Sequence, residues 1–374
     1  MKSNYKLGEL IRNVDVKNKD LQCNNLKGLS MTKEFRASTS NIVGTDLSKY
    51  KIVAYKQFAC DFMSAIRVHK MPIAFNSETE KILVSPAYAV FEVIDENIIL
   101  PEYLMMWFRR SEFDRYADFR SDAAIRGGYG WNELCETEIE LPCLNEQKKI
   151  VFEYQTVINR ITLKKQINDN LEATLRAIYK EFFTAESNND LPAGWKIAPF
   201  SEVATVIMGQ SPNGDDCNND GIGEPLLNGP TEFGYYSPTP VQWTTNGKKY
   251  CADGDLLFCV RGSTTGRMNW ANQSFVIGRG LAAIRHKKDV SLNWFVKAMI
   301  DNSLQEILAA ATGSTFPNVG KDLLNGFLVT IPNNQTLREF GERGQAISVM
   351  IANNAKEIDA LVVLQRSLLS QLGC

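Results

Sequence analysis

Ile139-Glu140-Leu141-Pro142, then Ile150, Tyr154, Val157, Ile161, Leu171, Leu175, Ile178 and Phe182, is the stretch that decides the fold. From Ile150 onward these side chains advance by alternating steps of four and three, with polar Lys164 and Asn168 holding two seam places. That 3.5-residue period marks the seam of a coiled coil. Val329-Thr330-Ile331-Pro332 repeats the entry, and Ile347, Ile351, Asn354, Ile358, Leu361, Gln365, Leu368 and Leu372 repeat the steps. Pro142 and Pro332 stand just before the helices, where a missing N–H costs no hydrogen bond. Asn145 to Phe183 would make a helix ~58 Å long at ~1.5 Å per residue. Seams this narrow need a partner. In a tandem repeat with an approximate two-fold, the helices would run antiparallel and bring Asn168 near Asn354, a pair that fixes register at some cost in stability.

Working outward, two further anchors recur. Lys6-Leu7-Gly8-Glu9-Leu10 resembles Pro199-Phe200-Ser201-Glu202-Val203, and Ala89-Val90-Phe91-Glu92-Val93 parallels Leu281-Ala282-Ala283-Ile284-Arg285. Order and near-constant offset define a duplication, the first feature to seek in a chain. Lys51-Ile52-Val53-Ala54-Tyr55 is expected to match Asp255-Leu256-Leu257-Phe258-Cys259 across an insertion in the second copy.

β-Branched and aromatic runs bounded by Gly, Pro, Asn and Asp predict strands over 51–55, 81–84, 89–94, 254–261 and 280–286. Helical periodicity covers 100–116 and 292–311. Residues 209–236 read as long ordered loops. The expected class is α+β: two tandem globular domains separated by two long helices packed as an antiparallel coiled coil, with a pseudo-two-fold internal repeat. The boundaries are 1–143, 144–186, 187–333 and 334–374.

Composition agrees. The 374 residues are 44% hydrophobic and 22% charged, with net charge −2 from 41 basic and 43 acidic groups. That balance disfavours a wholly basic coat but permits a local phosphate-binding face. The eight cysteines form no C-x-x-C pair, and two histidines supply no recognisable zinc set. No metal or cofactor is expected. The N-terminus lacks the apolar core of a signal peptide and no apolar run reaches membrane-spanning length, so a cytoplasmic protein is expected.

Further stretches carry a family resemblance. They are Gly44-Thr45-Asp46-Leu47-Ser48-Lys49-Tyr50-Lys51-Ile52-Val53, Val84-Ser85-Pro86-Ala87-Tyr88-Ala89-Val90-Phe91 and Leu100-Pro101-Glu102-Tyr103-Leu104 with Phe113-Asp114-Arg115-Tyr116. In the second half they are Gly194-Trp195-Lys196, Gly209-Gln210-Ser211-Pro212 and Gly313-Ser314-Thr315-Phe316-Pro317-Asn318-Val319. Together they resemble the specificity subunit of type I restriction–modification enzymes over essentially the whole chain. The resemblance implies two target-recognition domains, each reading half of a split DNA sequence. It implies helices that act as a ruler and as the docking surface for two methyltransferase subunits, to which nuclease–translocase subunits can be added. The first half departs from the pattern, carrying Ile125-Arg126-Gly127-Gly128-Tyr129-Gly130-Trp131-Asn132 where the second has the Gly-Ser-Thr-Phe-Pro-Asn string.

Base edges are read by Arg, Lys, Asn and Gln, and phosphates are held by Arg, Lys, Ser and Thr. The candidates in the first half are Lys33, Arg36, Lys56, Gln57, Arg67, Arg126 and Tyr129. In the second they are Gln210, Ser211, Tyr235, Arg261, Thr264, Arg267, Thr315 and Asn318. The sequence has no Walker phosphate loop, no Asn/Asp-Pro-Pro-aromatic methyltransferase string and no clear nuclease set, so a non-catalytic subunit is expected. The competing reading is a duplicated scaffold that binds only protein partners.

Overall fold

The computed structural model describes residues 3–38, 44–63, 69–122, 129–183, 191–313 and 316–373. The chain forms two compact units, Met1–Ile161 with Leu361–Cys374, and Thr162–Ala360.

In the first unit, β1 (Ser3–Lys6) and a single helical turn α1 (Leu7–Leu10) lead into β2 (Ile11–Val14). A hairpin of β3 (Lys27–Leu29) and β4 (Phe35–Ala37) precedes β5 (Lys51–Val53), β6 (Gln57–Cys60), β7 (Ile73–Phe75), β8 (Ile82–Val84) and β9 (Ala89–Val93). Then come α2 (Pro101–Phe108), α3 (Ser111–Asp122), α4 (Trp131–Cys135) and β10 (Glu138–Leu141), which pairs with β1. The central sheet has the order β2-β9-β6-β7. Period-two alternation divides its side chains: Phe58, Cys60 and Phe91 meet Tyr103, Leu104 and Phe108 of α2, while Ala59 and Val90 meet Val53, Ile82 and Val84. Both faces are covered, so these strands read as nearly unbroken apolar runs.

The second unit rebuilds this frame. β11 (Lys196–Pro199) precedes β12 (Ala204–Met208), β13 (Cys217–Asn218), β14 (Glu224–Leu227), β15 (Gln242–Thr244) and β16 (Tyr250–Cys251). β17 (Leu256–Cys259), β18 (Met268–Trp270), β19 (Phe275–Ile277) and β20 (Leu281–His286) follow, then β21 (Leu328–Ile331), which pairs with β11. The central sheet runs β12-β20-β17-β18, the same order as in the first unit. Leu256, Phe258, Ala282 and Ile284 face the Trp294, Phe295 and Met299 side of a 17-residue helix, Asn293–Ala309. Leu257, Cys259 and Ala283 face Leu227, Phe275 and Ile277. Those last strands belong to a five-stranded sheet, β13-β15-β14-β19-β16, whose antiparallel β16–β19 and parallel β14–β19 pairings repeat the β5–β8 ladder and the Leu26–Leu83 bridge of the first unit.

The ladders correct two expectations. Facing and register match β6, not β5, with β17: Gln57 takes the place of Asp255, and Phe58 that of Leu256. Lys51–Val53 instead pairs with Ile82–Val84 in a separate small sheet. Residues 209–236, read as loops, contain β13 and β14, because Gly, Asn and Asp turns frame short extended pieces that find partners only in 242–244 and 275–277. The helix expected over 100–116 is interrupted at Arg109, whose N–H is shared between Met105 O and Met106 O as the turn closes.

The two long helices are α5 (Leu144–Phe183, 40 residues) and α8 (Asn334–Ser370, 37 residues), with α6 (Asn293–Ala309) and α7 (Lys321–Gly326) between them. Seam positions Ile150, Tyr154, Val157, Ile161, Asn168, Leu171, Leu175 and Ile178 are buried or half-buried. So are Ile347, Ile351, Asn354, Ile358, Leu361 and Leu368. In the first unit, Gln365 Nε2 donates to Tyr154 Oη (3.1 Å), and Arg109 Nη1 donates to the same oxygen (3.3 Å). In the second, Asn354 Nδ2 donates to Asn168 Oδ1 (2.8 Å), and Asn168 Nδ2 reaches Ile351 O (3.2 Å). Lys164 completes this layer through Asn354 Oδ1 (2.8 Å) and Glu357 (2.9 Å). Rising residue numbers on α5 meet falling numbers on α8, so the helices are antiparallel. A polar layer satisfied on both sides fixes register, since a slip would bury unpaired amides. Among the described residues, no helix is long and apolar enough to cross a membrane.

Candidate nucleic-acid interface

One turn recurs at the heart of both units. In the first, Gln57 N donates to Ala54 O (3.1 Å), and Gln57 Oε1 accepts Ala54 N–H (2.7 Å). In the second, Asp255 N donates to Ala252 O (3.1 Å), and Asp255 Oδ2 accepts Ala252 N–H (2.8 Å). The residue before each is left-handed: Lys56 at φ +63 and Gly254 at φ +81. The next strand then supplies the polar partner. Glu92 accepts from Gln57 Nε2 (2.8 Å), whereas Arg285 Nη2 donates to Asp255 (2.5 Å). The frame is shared and its charge is reversed. Burial pushes Asp255 up against the pull of the Ala252 N–H and Arg285. Burial works on Glu92 the same way, but hydrogen bonds from Gln57 and Arg12 outweigh it and hold Glu92 below its usual range.

This geometry removes several candidates from the reading surface of the first unit. Lys33, expected on a loop, is 4% exposed; its ammonium donates to Phe108 O, pairs with Asp114 at 2.8 Å and lies over the Phe113 ring. Burial lowers its pKa although Asp114 opposes the shift. Gln57 is buried in the clasp just described. Tyr129 is 2% exposed, shares a hydrogen bond with Thr137 Oγ1 (2.8 Å) and packs among Phe62, Phe113 and Tyr116. These three are held by the fold, because each found a partner more than seven residues away. Arg36 is exposed on β4 but bonds Leu29 O (3.2 Å) and Ala37 O (3.3 Å) of its own hairpin. Lys56 is ion-paired with Glu96 and lies near the Tyr55 ring. Arg67 and Arg126 lie outside the described residues.

The second unit brings candidates together. The β17–β18 loop carries Arg261, Thr264 and Arg267, and Asn318 pairs with Arg261 in an isolated backbone bridge. Thr265 Oγ1 donates to Pro317 O (2.9 Å), and Val319 N donates to Val260 O (2.8 Å), so two loops distant in sequence form one platform. Gly262 (φ +95) and Gly266 (φ +91) permit the turn. Arg261 and Asn318 are exposed on it. Thr264 Oγ1 is also exposed, 3.6 Å from Cys259 Sγ. Arg267, exposed on the same loop, donates to Pro230 O and Phe233 O (3.3 Å each) and lies over the Phe233 ring, so its guanidinium is engaged within its own unit. Gln210 is exposed beside Ser211, whose Oγ accepts Arg279 N–H (3.2 Å). Tyr235 is held on α5 by Lys165, its hydroxyl donating to Lys165 O (3.4 Å) under the Lys165 ammonium. Thr315 lies outside the described residues. Phe316, between the candidates Thr315 and Asn318 in sequence, is 54% exposed beside this platform.

The helical frame and duplicated sheet match known proteins. No protein-family model matches the chain. A Methanocaldococcus jannaschii protein named as the specificity subunit of the type I restriction enzyme MjaX is 27% identical over 74% of this chain and 68% of its own length. The MjaIX type I specificity subunit of the same organism is 22% identical over 75% and 70%. The crystal structure of a type I restriction–modification system S subunit from M. genitalium shares the fold at TM-score 0.56, with 11% identity, covering 100% of this chain and 96% of that one. The chain is thus similar in sequence to type I restriction enzyme specificity subunits and in fold to a solved S subunit.

Proposed function

We propose that the chain gives a type I restriction–modification system its DNA sequence specificity. Each globule reads one half of a bipartite double-stranded target, with recognition modules at 1–143 and 187–333. The helices, 144–186 and 334–374, set the spacer and dock two methyltransferase subunits. Nuclease–translocase subunits join that assembly, and all the chemistry resides in the partners. One observation carries the reading: a single four-stranded frame and its clasp turn are built twice, with different peripheral elements each time. Two related heads that read different sequences need a common chassis and unlike surfaces.

The ruler makes the reading testable. One heptad inserted into each helix adds ~10 Å of length at ~1.5 Å per residue. Co-expression with the methyltransferase subunit, followed by methylation mapping, is expected to show a spacer longer by up to ~3 base pairs at ~3.4 Å each, with both half-sites unchanged. An altered half-site beside an unaltered spacer overturns the ruler.

A further inference from the structure

The loop after α6 displays a phenyl ring that the fold does not cover. Phe316 is 54% exposed, and the backbone around it is fixed from several sides. Asn318 N donates to Thr312 O (2.6 Å), and Thr312 N returns a bond to Asn318 O (3.1 Å). Gly313, at φ +121, lets the chain close so tightly that a Cβ there would stand 2.2 Å from Phe316 O. The Thr265 hydroxyl holds Pro317 O, and Val319 is tied to Val260. Single exposed apolar side chains are ordinary on proteins. This one lies beside backbone anchors at Pro317, Asn318 and Val319.

Its neighbours point to a ligand class. The backbones of Arg261 and Asn318 bridge each other. Among the described residues, neither side chain has a hydrogen-bonding or ionic partner, so both remain available. Arg and Asn are among the side chains that read the base edges and width of the minor groove, the side from which wedges enter. An apolar wedge set beside such donors is how proteins unstack a base step and hold the deformed duplex.

We infer that Phe316 is a wedge that enters a base step of the half-site read by the second unit, with Arg261 and Asn318 reading the adjoining base edges. This inference rests on the DNA-specificity reading above. The wedge contributes indirect specificity, since steps that unstack easily accept it best.

The test uses the full chain assembled with its methyltransferase subunits. The probes are duplexes bearing the mapped target, with 2-aminopurine at successive positions of each half-site. With the base that each methyltransferase subunit flips left unlabelled, the wild-type complex should raise the fluorescence several-fold at one step of one half-site and nowhere in the other. Phe316→Ala should abolish that rise and weaken target binding by ~10-fold or more, while Phe316→Tyr restores both. Arg261→Ala should relax base preference in the same half only. Equal fluorescence and affinity for wild type and Phe316→Ala, failure of Phe316→Tyr to restore them, or no rise with wild type, each overturns the wedge. A wild-type complex that binds the target no better than a scrambled duplex overturns the specificity reading itself, and the wedge with it. Thermal melting of every variant separates these results from misfolding.

Discussion

The two units share a sheet order and a clasp turn yet differ in the chemistry that locks them. In the first, Gln57 and Glu92 join β6 to β9; in the second, Asp255 and Arg285 join β17 to β20 at the matching positions. The hydrogen bond to the Ala54 or Ala252 N–H is common to both. The backbone therefore sets the demand, an acceptor facing that N–H and a partner on the next strand. The charges are free to vary as a pair. Away from the sheet the β5–β8 and β16–β19 ladders still correspond, but in the second unit that ladder is extended by β13, β14 and β15 into a five-stranded sheet. A duplicated head keeps what closes its core and changes what surrounds it.

The pairwise nature of the lock predicts the largest effect. Arg285→Glu sets a second carboxylate against buried Asp255 and should cost about 3–5 kcal/mol, the scale for breaking a buried ion pair. Adding Asp255→Gln recreates the chemistry of the first unit and should recover most of that loss. Urea unfolding of the two single variants and the double variant measures the coupling; an additive cycle would show that the positions are not equivalent.

His286 supplies a smaller contrast, because the ladders shift the Ala89–Val93 anchor by one residue from its match with Leu281–Arg285 and put Val93 in the place of His286. Its Nδ1 accepts the Asp289 N–H (3.1 Å), and burial lowers its pKa against the opposing pull of Asp289. A histidine depressed in the folded state adds stability above its unfolded pKa of about 6.5, and that stability is lost as pH falls through the folded value. Between pH 7.5 and 5.0 the second unit should therefore lose amide protection around 286–293, while the matching region of the first does not. His286→Asn, which keeps an acceptor without titrating there, should flatten the response in hydrogen-exchange mass spectrometry. Equal loss in both units would assign the effect to other groups.

The smallest effect concerns the turn itself. Lys56 occupies the left-handed position that Gly254 fills in the second unit. Lys56→Gly relieves roughly 1 kcal/mol of left-handed strain and gives up an exposed pairing with Glu96 worth about 0–1 kcal/mol. Stability should stay within about 1 kcal/mol of wild type. Lys56→Val gives up the same pairing and adds a β-branched side chain at positive φ, so it should be about 1–2 kcal/mol less stable than the glycine variant. Equal urea midpoints for the two variants would break the analogy between the turns.

Much of the frame was legible in the sequence. The four-three steps follow from helix geometry, and they identify the buried seam residues with no knowledge of the globules. The meeting of Asn168 with Asn354 then follows from counting along antiparallel helices. The anchors Lys6–Leu10 and Ile139–Pro142 were also legible, and β1 pairs with β10 in the same register as β11 pairs with β21. The β6–β17 match was not, since the short apolar runs Ile52–Tyr55 and Phe58–Cys60 look alike beside Leu256–Val260 and only hydrogen-bonding partners tell them apart.

The sequence alone thus determined the duplication, the long helices and the seam, all of which depend on periodicity within one segment. Tertiary structure alone decided which basic and aromatic groups remain free. Lys33 looks like a loop lysine until Asp114 and Phe108 enclose it, and Tyr129 looks like a loop aromatic until Thr137 takes its hydroxyl. Arg261 and Asn318 become neighbours only when Val319 joins Val260. Burial and adjacency are properties of partners brought from far along the chain, and local spacing carries no record of them.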